Sequence, residues 1–152
     1  MRRGSAVPSV RRCGTGSGVS MRMVPMASSA DDIFELCRNR AADVIVMGLH
    51  ETCGVVRFRK AAAVGEAAGV NICLHGVFET GITTCASNQV AATLNNMDDG
   101  NQIMWQLLAE DIVKSPNLIP GDGSLPVSDR HGLGFELNWD AVERAAAACR
   151  KL

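Results

Sequence analysis

Residues 70–93 read VNICLHGVFETGITTCASNQVAAT, and this stretch decides the fold. A short apolar run ends at Leu74, and a glycine-containing turn that carries His75 and Glu79 leads into a helical pattern. In parallel α/β folds, the side chains that perform chemistry follow the carboxyl ends of the strands. His75 therefore stands where a catalytic residue is expected. In the alternative interpretation neither residue has a catalytic role: His75 caps the end of the strand, and Glu79 is a solvent-exposed acid in the loop.

The length and charge of the chain indicate one globular domain that does not bind nucleic acid. The chain has 152 residues, enough for one ordinary core, and a formal net charge of −1. The first 30 residues hold five Arg and no acid, which leaves ten basic and sixteen acidic residues beyond them. An acidic globular part argues against a nucleic-acid partner. No apolar run reaches the roughly 18–20 residues that span a bilayer, so no membrane partner is expected.

The six cysteines indicate a reducing compartment. They show no C-x-x-C pair and no Cys/His spacing suited to a tetrahedral zinc site. Several fall in apolar strand or helix patterns, where a free thiol behaves as a small hydrophobe. We therefore expect a cytoplasmic protein. Sequence spacing alone identifies no metal ligand.

The N-terminal 22 residues differ in composition from the rest of the chain. They are rich in Arg, Ser and Gly, contain no acid and show no sustained helical or strand period. We expect residues 1–22 to be an unstructured or spurious extension, although their composition also resembles an organellar transit segment. The folded domain is expected over residues 23–152.

Strands and helices alternate along this domain. A short strand at 21–26 precedes a helix that Ser28 or Ser29 can cap, and buried-type strands begin at Asp43 and Val70. Helices are predicted over 55–68, 81–94 and 103–113. Strands separated by full helices predict a parallel sheet with right-handed connections. After Pro116 the pattern predicts a small hairpin or extended tail, then a helix over 139–149 that Asn138 can cap.

Three segments in this order resemble the C-terminal part of the mandelate racemase and muconate lactonizing enzymes of the enolase superfamily. They are DVIVMGLHETCGV at 43–55, AAAVGEAAGVNICLHGVFETGI at 61–82 and GDGSLPVSDRHGLGFELNWDAVERA at 121–145. The resemblance implies a modified (β/α) barrel, of which this chain would form a partial barrel with a C-terminal hairpin and helix. It also implies one Mg²⁺, held by carboxylates from three successive strands, and abstraction of the proton α to a substrate carboxylate. Racemases, dehydratases and cycloisomerases share that step.

The resemblance assigns roles to individual residues. His75 falls where some members place a general base, and an imidazole suits this role because its unperturbed pKa is near neutrality. Glu79, Asp98, Asp99, Asn101 and His50 become candidates for binding a small carboxylate substrate such as a hydroxy acid, a sugar acid or an amino-acid derivative. For Asp98 and Asp99 a plain Asp-Gly turn is the alternative, and for His50 an exposed loop position.

The departures from the family pattern matter equally. Gly48 stands where the family has a catalytic Lys or an Asp that orients the His, and Cys53 stands where it usually has the first of two glycines. Ser28 and Ser29 occupy a position where an acidic metal ligand is expected. We therefore expect no magnesium binding and no turnover by this chain alone. The alternative is a non-catalytic or degenerate fragment that self-associates as a homo-oligomer, because a partial barrel exposes sheet edges.

Overall fold

The computed structural model describes residues 11–14, 20–25, 27–97, 100–104, 107–118 and 123–151. They fall into two compact units: Met1–Leu74 with Leu94–Asn101, and His75–Thr93 with Gln102–Leu152. In chain order the elements are β1 (Arg11–Gly14), β2 (Ser20–Pro25), α1 (Ala30–Arg38), β3 (Val44–Met47), α2 (Val55–Ala67), β4 (Asn71–Leu74), α3 (Gly81–Ala91), β5 (Val113–Ser115), β6 (Glu136–Leu137) and α4 (Trp139–Cys149). The predicted α/β class is confirmed, and the described residues form no closed barrel.

The first unit contains a four-stranded sheet in the order β1-β2-β3-β4. Strand β3 pairs in parallel with both β2 and β4, as the crossover helices predicted. All four residues of β3 are buried, which explains why its sequence VIVM is continuously apolar rather than alternating.

Two helices of the first unit contact each other. Helix α1 begins after Ser29, whose hydroxyl accepts the Asp32 N–H, and it buries Ile33 and Leu36. Helix α2 buries Phe58, Ala61, Ala62 and Gly65, a spacing of three and four residues that places all of them on one face. The apolar periodicity of the sequence thus selects the buried face of each helix.

The described part of the N-terminal range differs from expectation. Residues 11–14 form β1, whereas residues 1–22 were predicted to be an unstructured or spurious extension. Strand β2 confirms the short strand predicted at 21–26. Strand β1 pairs with β2 in the antiparallel direction. A strand of four residues carries too short a pattern for sequence periodicity to reveal it.

The outer edge of β4 is covered by residues from the segment 94–101. The Ile72 N–H donates to the Asn96 carbonyl at 2.7 Å, and Ile72 forms an isolated parallel bridge with Met97. The Leu74 N–H donates to Asn101 Oδ1 at 2.8 Å. These contacts cover part of the β4 edge.

The second unit contains α3, a two-stranded antiparallel sheet of β5 and β6, and α4. Asn138 caps α4 by accepting the Ala141 N–H, as its sequence position predicted. Helix α4 is also tied to the preceding segment, because the Arg144 guanidinium donates two hydrogen bonds to the Glu110 carboxylate. Within the described ranges, no helix is long and apolar enough to cross a membrane.

The helix predicted over 103–113 is wrong for the residues that the structure describes. Residues 103–104 and 107–112 contain no α-helix, and Val113 begins β5. The Asp111 carboxylate accepts the backbone N–H groups of Ile112 and Gly81. A side chain that binds nearby backbone amides competes with helix formation, so the apolar spacing alone was misleading here.

Candidate active site at the carboxyl ends of the strands

The candidate site begins where β3 and β4 end side by side. Met47 is the register partner of Leu74, the last residue of β4. The chain continues from Met47 into a loop over 48–54, and from Leu74 directly into His75. Both continuations therefore start at the sheet edge where parallel α/β folds place their chemistry.

His75 is half-buried and directly follows β4. It is the first residue of the second unit. The position matches the sequence analysis, and the catalytic role of His75 stays a prediction.

The 48–54 loop holds an imidazole against a carboxylate. His50 Nε2 lies 2.9 Å from Glu51 Oε1, with the His50 side chain 42% exposed and the Glu51 side chain 10% exposed. The buried Thr52 hydroxyl donates to the Gly48 carbonyl at 2.9 Å, which fixes the start of the loop. His50 and Glu51 are the two residues that the sequence offers near Gly48 as possible substitutes for its missing side chain, and whether they fill that role stays a prediction.

Cys53 adopts a backbone conformation that favours glycine. Its φ is 57°, in the left-handed region, and Gly54 follows at φ 113°. A residue with a Cβ is strained in this region, whereas glycine is not. The loop geometry thus explains why the family pattern has two glycines here, and this chain departs from it at a cost in stability.

Glu79 folds back over Gly76 in the second unit. A Cβ built on Gly76 would lie 2.1 Å from Glu79 Oε1, so only glycine leaves room for this carboxylate. Glu79 Oε2 is buried and accepts no hydrogen bond from the described residues. A buried carboxylate oxygen of this kind is able to accept a hydrogen bond from a ligand. The predicted binding role of Glu79 remains untested.

Asp111 occupies the N-terminus of α3. Both of its carboxylate oxygens lie 3.0 Å from the Gly81 nitrogen. A Cβ on Gly81 would meet Asp111 Oδ2 at 2.4 Å, so the contact requires glycine. Burial, and secondarily the Asp111 charge, raise the pKa of the Cys85 thiol in the same unit. Sequence reasoning missed Asp111 because thirty residues separate it from the helix that it caps.

The remaining candidates lie beyond β4. Asn101 is exposed, and its Oδ1 accepts the Leu74 N–H, so this oxygen supports the strand rather than projecting toward a ligand. Asp98 and Asp99 lie outside the described residues. The binding roles of all three stay predictions.

The residues expected at the family's metal position do not fit a magnesium site. The hydroxyl and N–H of Ser28 both donate to Asp32 Oδ2, and the Ser29 hydroxyl accepts the Asp32 N–H. The carboxylate and both hydroxyls are therefore used to begin α1. Mg²⁺ prefers carboxylate oxygens in octahedral geometry, and these capping groups do not supply that donor set.

Comparison with known proteins decides the family. The model of the enolase C-terminal domain-like family matches residues 17–141. The chain belongs to this family. It corresponds to the C-terminal portion of the mandelate racemase and muconate lactonizing enzymes within the enolase superfamily, as the three sequence segments predicted.

Named relatives of this enolase-type chain are cycloisomerases. Muconate cycloisomerase 1-1 of Acinetobacter lwoffii is 30% identical over 131 residues, and muconate cycloisomerase 1 of Rhodococcus opacus is 34% identical over 132 residues. These matches cover 82% and 80% of this chain but 35% of each relative. The solved muconate lactonizing enzyme from Pseudomonas putida superimposes with a TM-score of 0.73 at 27% identity, covering 80% of this chain and 34% of that enzyme. The chain thus spans about a third of the length of these relatives.

Proposed function

We propose that this chain forms the distal wall of a partial (β/α) barrel, of the type that abstracts the proton α to a carboxylate with the help of Mg²⁺. His75 is proposed as the general base, and the observation that supports this role is that His75 directly follows β4. Glu79, with its buried Oε2, is proposed to bind a polar group of the substrate. The proposed substrate is a small carboxylate. Muconolactone is the first choice because it carries a proton on a saturated carbon α to its carboxylate and is the lactone related to muconate, for which the relatives are named.

We further propose that the chain alone is not a complete catalyst. Gly48 has no side chain to perform acid–base chemistry, and the Ser28 and Ser29 hydroxyls are used in the cap of α1. In a complete enzyme the metal would have to be held by residues outside this segment. Homo-oligomer formation and a cytoplasmic location also remain proposals.

The role of His75 is testable by comparing the chain with its His75→Asn variant. Hydrogen–deuterium exchange at the α carbon of muconolactone in D₂O, with Mg²⁺ present, reports proton abstraction directly. We expect both proteins to match the buffer rate. In any longer form that turns over, His75→Asn is expected to cost on the order of 10²-fold in rate with folding intact.

The outcomes separate the two parts of the proposal. Exchange by the wild-type chain that disappears in His75→Asn would keep His75 as the base but contradict the inactivity of the chain alone. A near-normal rate for His75→Asn in an active longer form would remove His75 from the mechanism. Glu143→Gln, an exposed position on α4, is the control for the loss of one titratable side chain.

The second candidate function is a non-catalytic fragment. The observations that favour it are the Gly48 departure and the engagement of both serines at the position of the metal ligand. A non-catalytic role predicts no exchange in any form of the protein, including longer ones. That result would select this alternative.

A further inference from the structure

One oxygen of the Glu79 carboxylate is buried without a hydrogen-bond partner. Its Oε2 is shielded from solvent and accepts no hydrogen bond from the described residues. Native structures leave few buried polar atoms unpaired, because the hydrogen bonds lost with water are then not replaced. The unpaired Oε2 therefore requires a reason in the fold or in a ligand.

The turn that carries Glu79 leaves room for this carboxylate at a cost in backbone strain. Gly76 is buried, and a Cβ on it would clash with Glu79 Oε1. Phe78 has a φ of 49°, in the left-handed region that disfavours an aromatic residue. Its side chain is 64% exposed, so burial of the ring does not offset the strain. Strained residues of this kind are concentrated at ligand-binding segments.

The intramolecular partner that suits an acid at this position is already in use. Glu79 lies two residues before the start of α3, where a carboxylate can accept the N–H groups of the first helical turn. Both oxygens of Asp111 lie 3.0 Å from the Gly81 nitrogen instead, and the Thr83 N–H donates to the Thr80 carbonyl at 3.0 Å. Asp111 thus holds the start of the helix, and the fold supplies Glu79 Oε2 with no donor.

We propose that Glu79 Oε2 accepts a hydrogen bond from a hydroxyl or ammonium group of the bound ligand. This inference rests on the proposed function and narrows its substrate class to small carboxylates that carry an O–H or N–H donor, as hydroxy acids, sugar acids and amino acids do. A carboxylate oxygen forms strong hydrogen bonds with such donors. A ligand without the donor leaves Oε2 buried and unpaired, so the site discriminates against it.

Three ligands with the same carbon skeleton test this inference with the chain as it exists. On the carbon next to the carboxylate, lactate carries a hydroxyl, alanine an ammonium group and propionate neither. Dissociation constants are measured from the shifts of the Gly76 and Glu79 amide signals in NMR titrations. We expect lactate or alanine to bind about five- to twentyfold more tightly than propionate, and the tighter of the two identifies the donor.

A variant without the acceptor separates the role of Glu79 from general affinity. Glu79→Met keeps the length of the side chain and removes both oxygens, so we expect it to bind the three ligands with similar affinities. Glu143→Met, at an exposed position on α4, is the matched control and is expected to keep the wild-type preference. If Glu79→Met does not fold, the wild-type preference decides.

The outcomes are independent of turnover. Equal affinities in the wild-type chain, no binding of any of the three ligands at high millimolar concentration, or a preference retained in a folded Glu79→Met chain would overturn the inference. Muconolactone carries no such donor outside its carboxyl group, so its proton exchange tests the role of His75 and leaves the contact of Glu79 to the binding experiment.

Discussion

At the scale of single residues, the local sequence predicted where a residue lies relative to a strand or helix better than it predicted what the side chain contacts. His75 directly follows β4 because an apolar run of strand length ends immediately before it. The sequence could not predict that Glu79 folds over Gly76 or that Asp111 binds the Gly81 N–H. These contacts depend on how a loop closes, and loop closure leaves no periodic signal in the chain.

Cys53→Gly is expected to stabilise the protein. The substitution relieves the left-handed strain at φ 57° and, at an exposed position, removes little packing. Allowing for the greater freedom of glycine in the unfolded chain, we expect a gain of about 0.5–1 kcal/mol in the free energy of unfolding. Urea titration followed by circular dichroism measures this change.

Ala63→Gly is the matched control because it introduces the same residue at an exposed position inside α2. There glycine is expected to cost about 1 kcal/mol relative to alanine. If Cys53→Gly were destabilising by a similar amount, the explanation of the loop by backbone strain would be wrong.

At the scale of elements, the predictions succeed where an apolar pattern coincides with a capping residue. Ser29 before α1 and Asn138 before α4 fix helix starts that the sequence indicated. The predicted helix over 103–113 had regular apolar spacing, but Asp111 binds backbone amides instead. Strand β1 was missed because four residues are too few for a pattern. Apolar periodicity therefore predicts the long helices and strands. It does not predict short strands, or segments in which a side chain such as Asp111 forms hydrogen bonds with backbone amides.

The cap of α1 is expected to contribute acid-dependent stability. Partial burial raises the pKa of Asp32, but side-chain and backbone hydrogen bonds from Ser28 and Ser29 outweigh it and leave the pKa below its ordinary value. A carboxyl with a lowered pKa in the folded state stabilises the fold above the pKa of the unfolded state. This contribution is lost as the pH falls through the lower, folded-state pKa.

Asp32→Asn is therefore expected to lower the melting temperature at pH 7, and this deficit should shrink below about pH 4. Asp31→Asn, in the same first turn, is the control for removing one negative charge near the helix N-terminus. The melting temperatures of both variants and of the wild type are compared by thermal unfolding between pH 3 and pH 7. A deficit for Asp32→Asn that stays constant over this range would contradict the assigned role of its carboxylate.

At the scale of the whole molecule, family membership and completeness are separate properties. The family match over 17–141 and the TM-score of 0.73 establish the relationship to the muconate cycloisomerases. The chain spans about a third of their length, and its described residues provide no carboxylate at the position where the resemblance expects a metal ligand. The family match is thus present here with serines, Ser28 and Ser29, at the position of that expected carboxylate.

The central proposal is that this chain carries the family's fold with His75 at the position of the base and does not supply the family's metal ligands. Isothermal titration of the chain with millimolar MgCl₂, beside the muconate cycloisomerase of Rhodococcus opacus as a positive control, tests it most directly. We expect a saturable heat for the relative and only dilution heat for this chain. A single-site isotherm for this chain that is lost on adding a chelator would contradict the account.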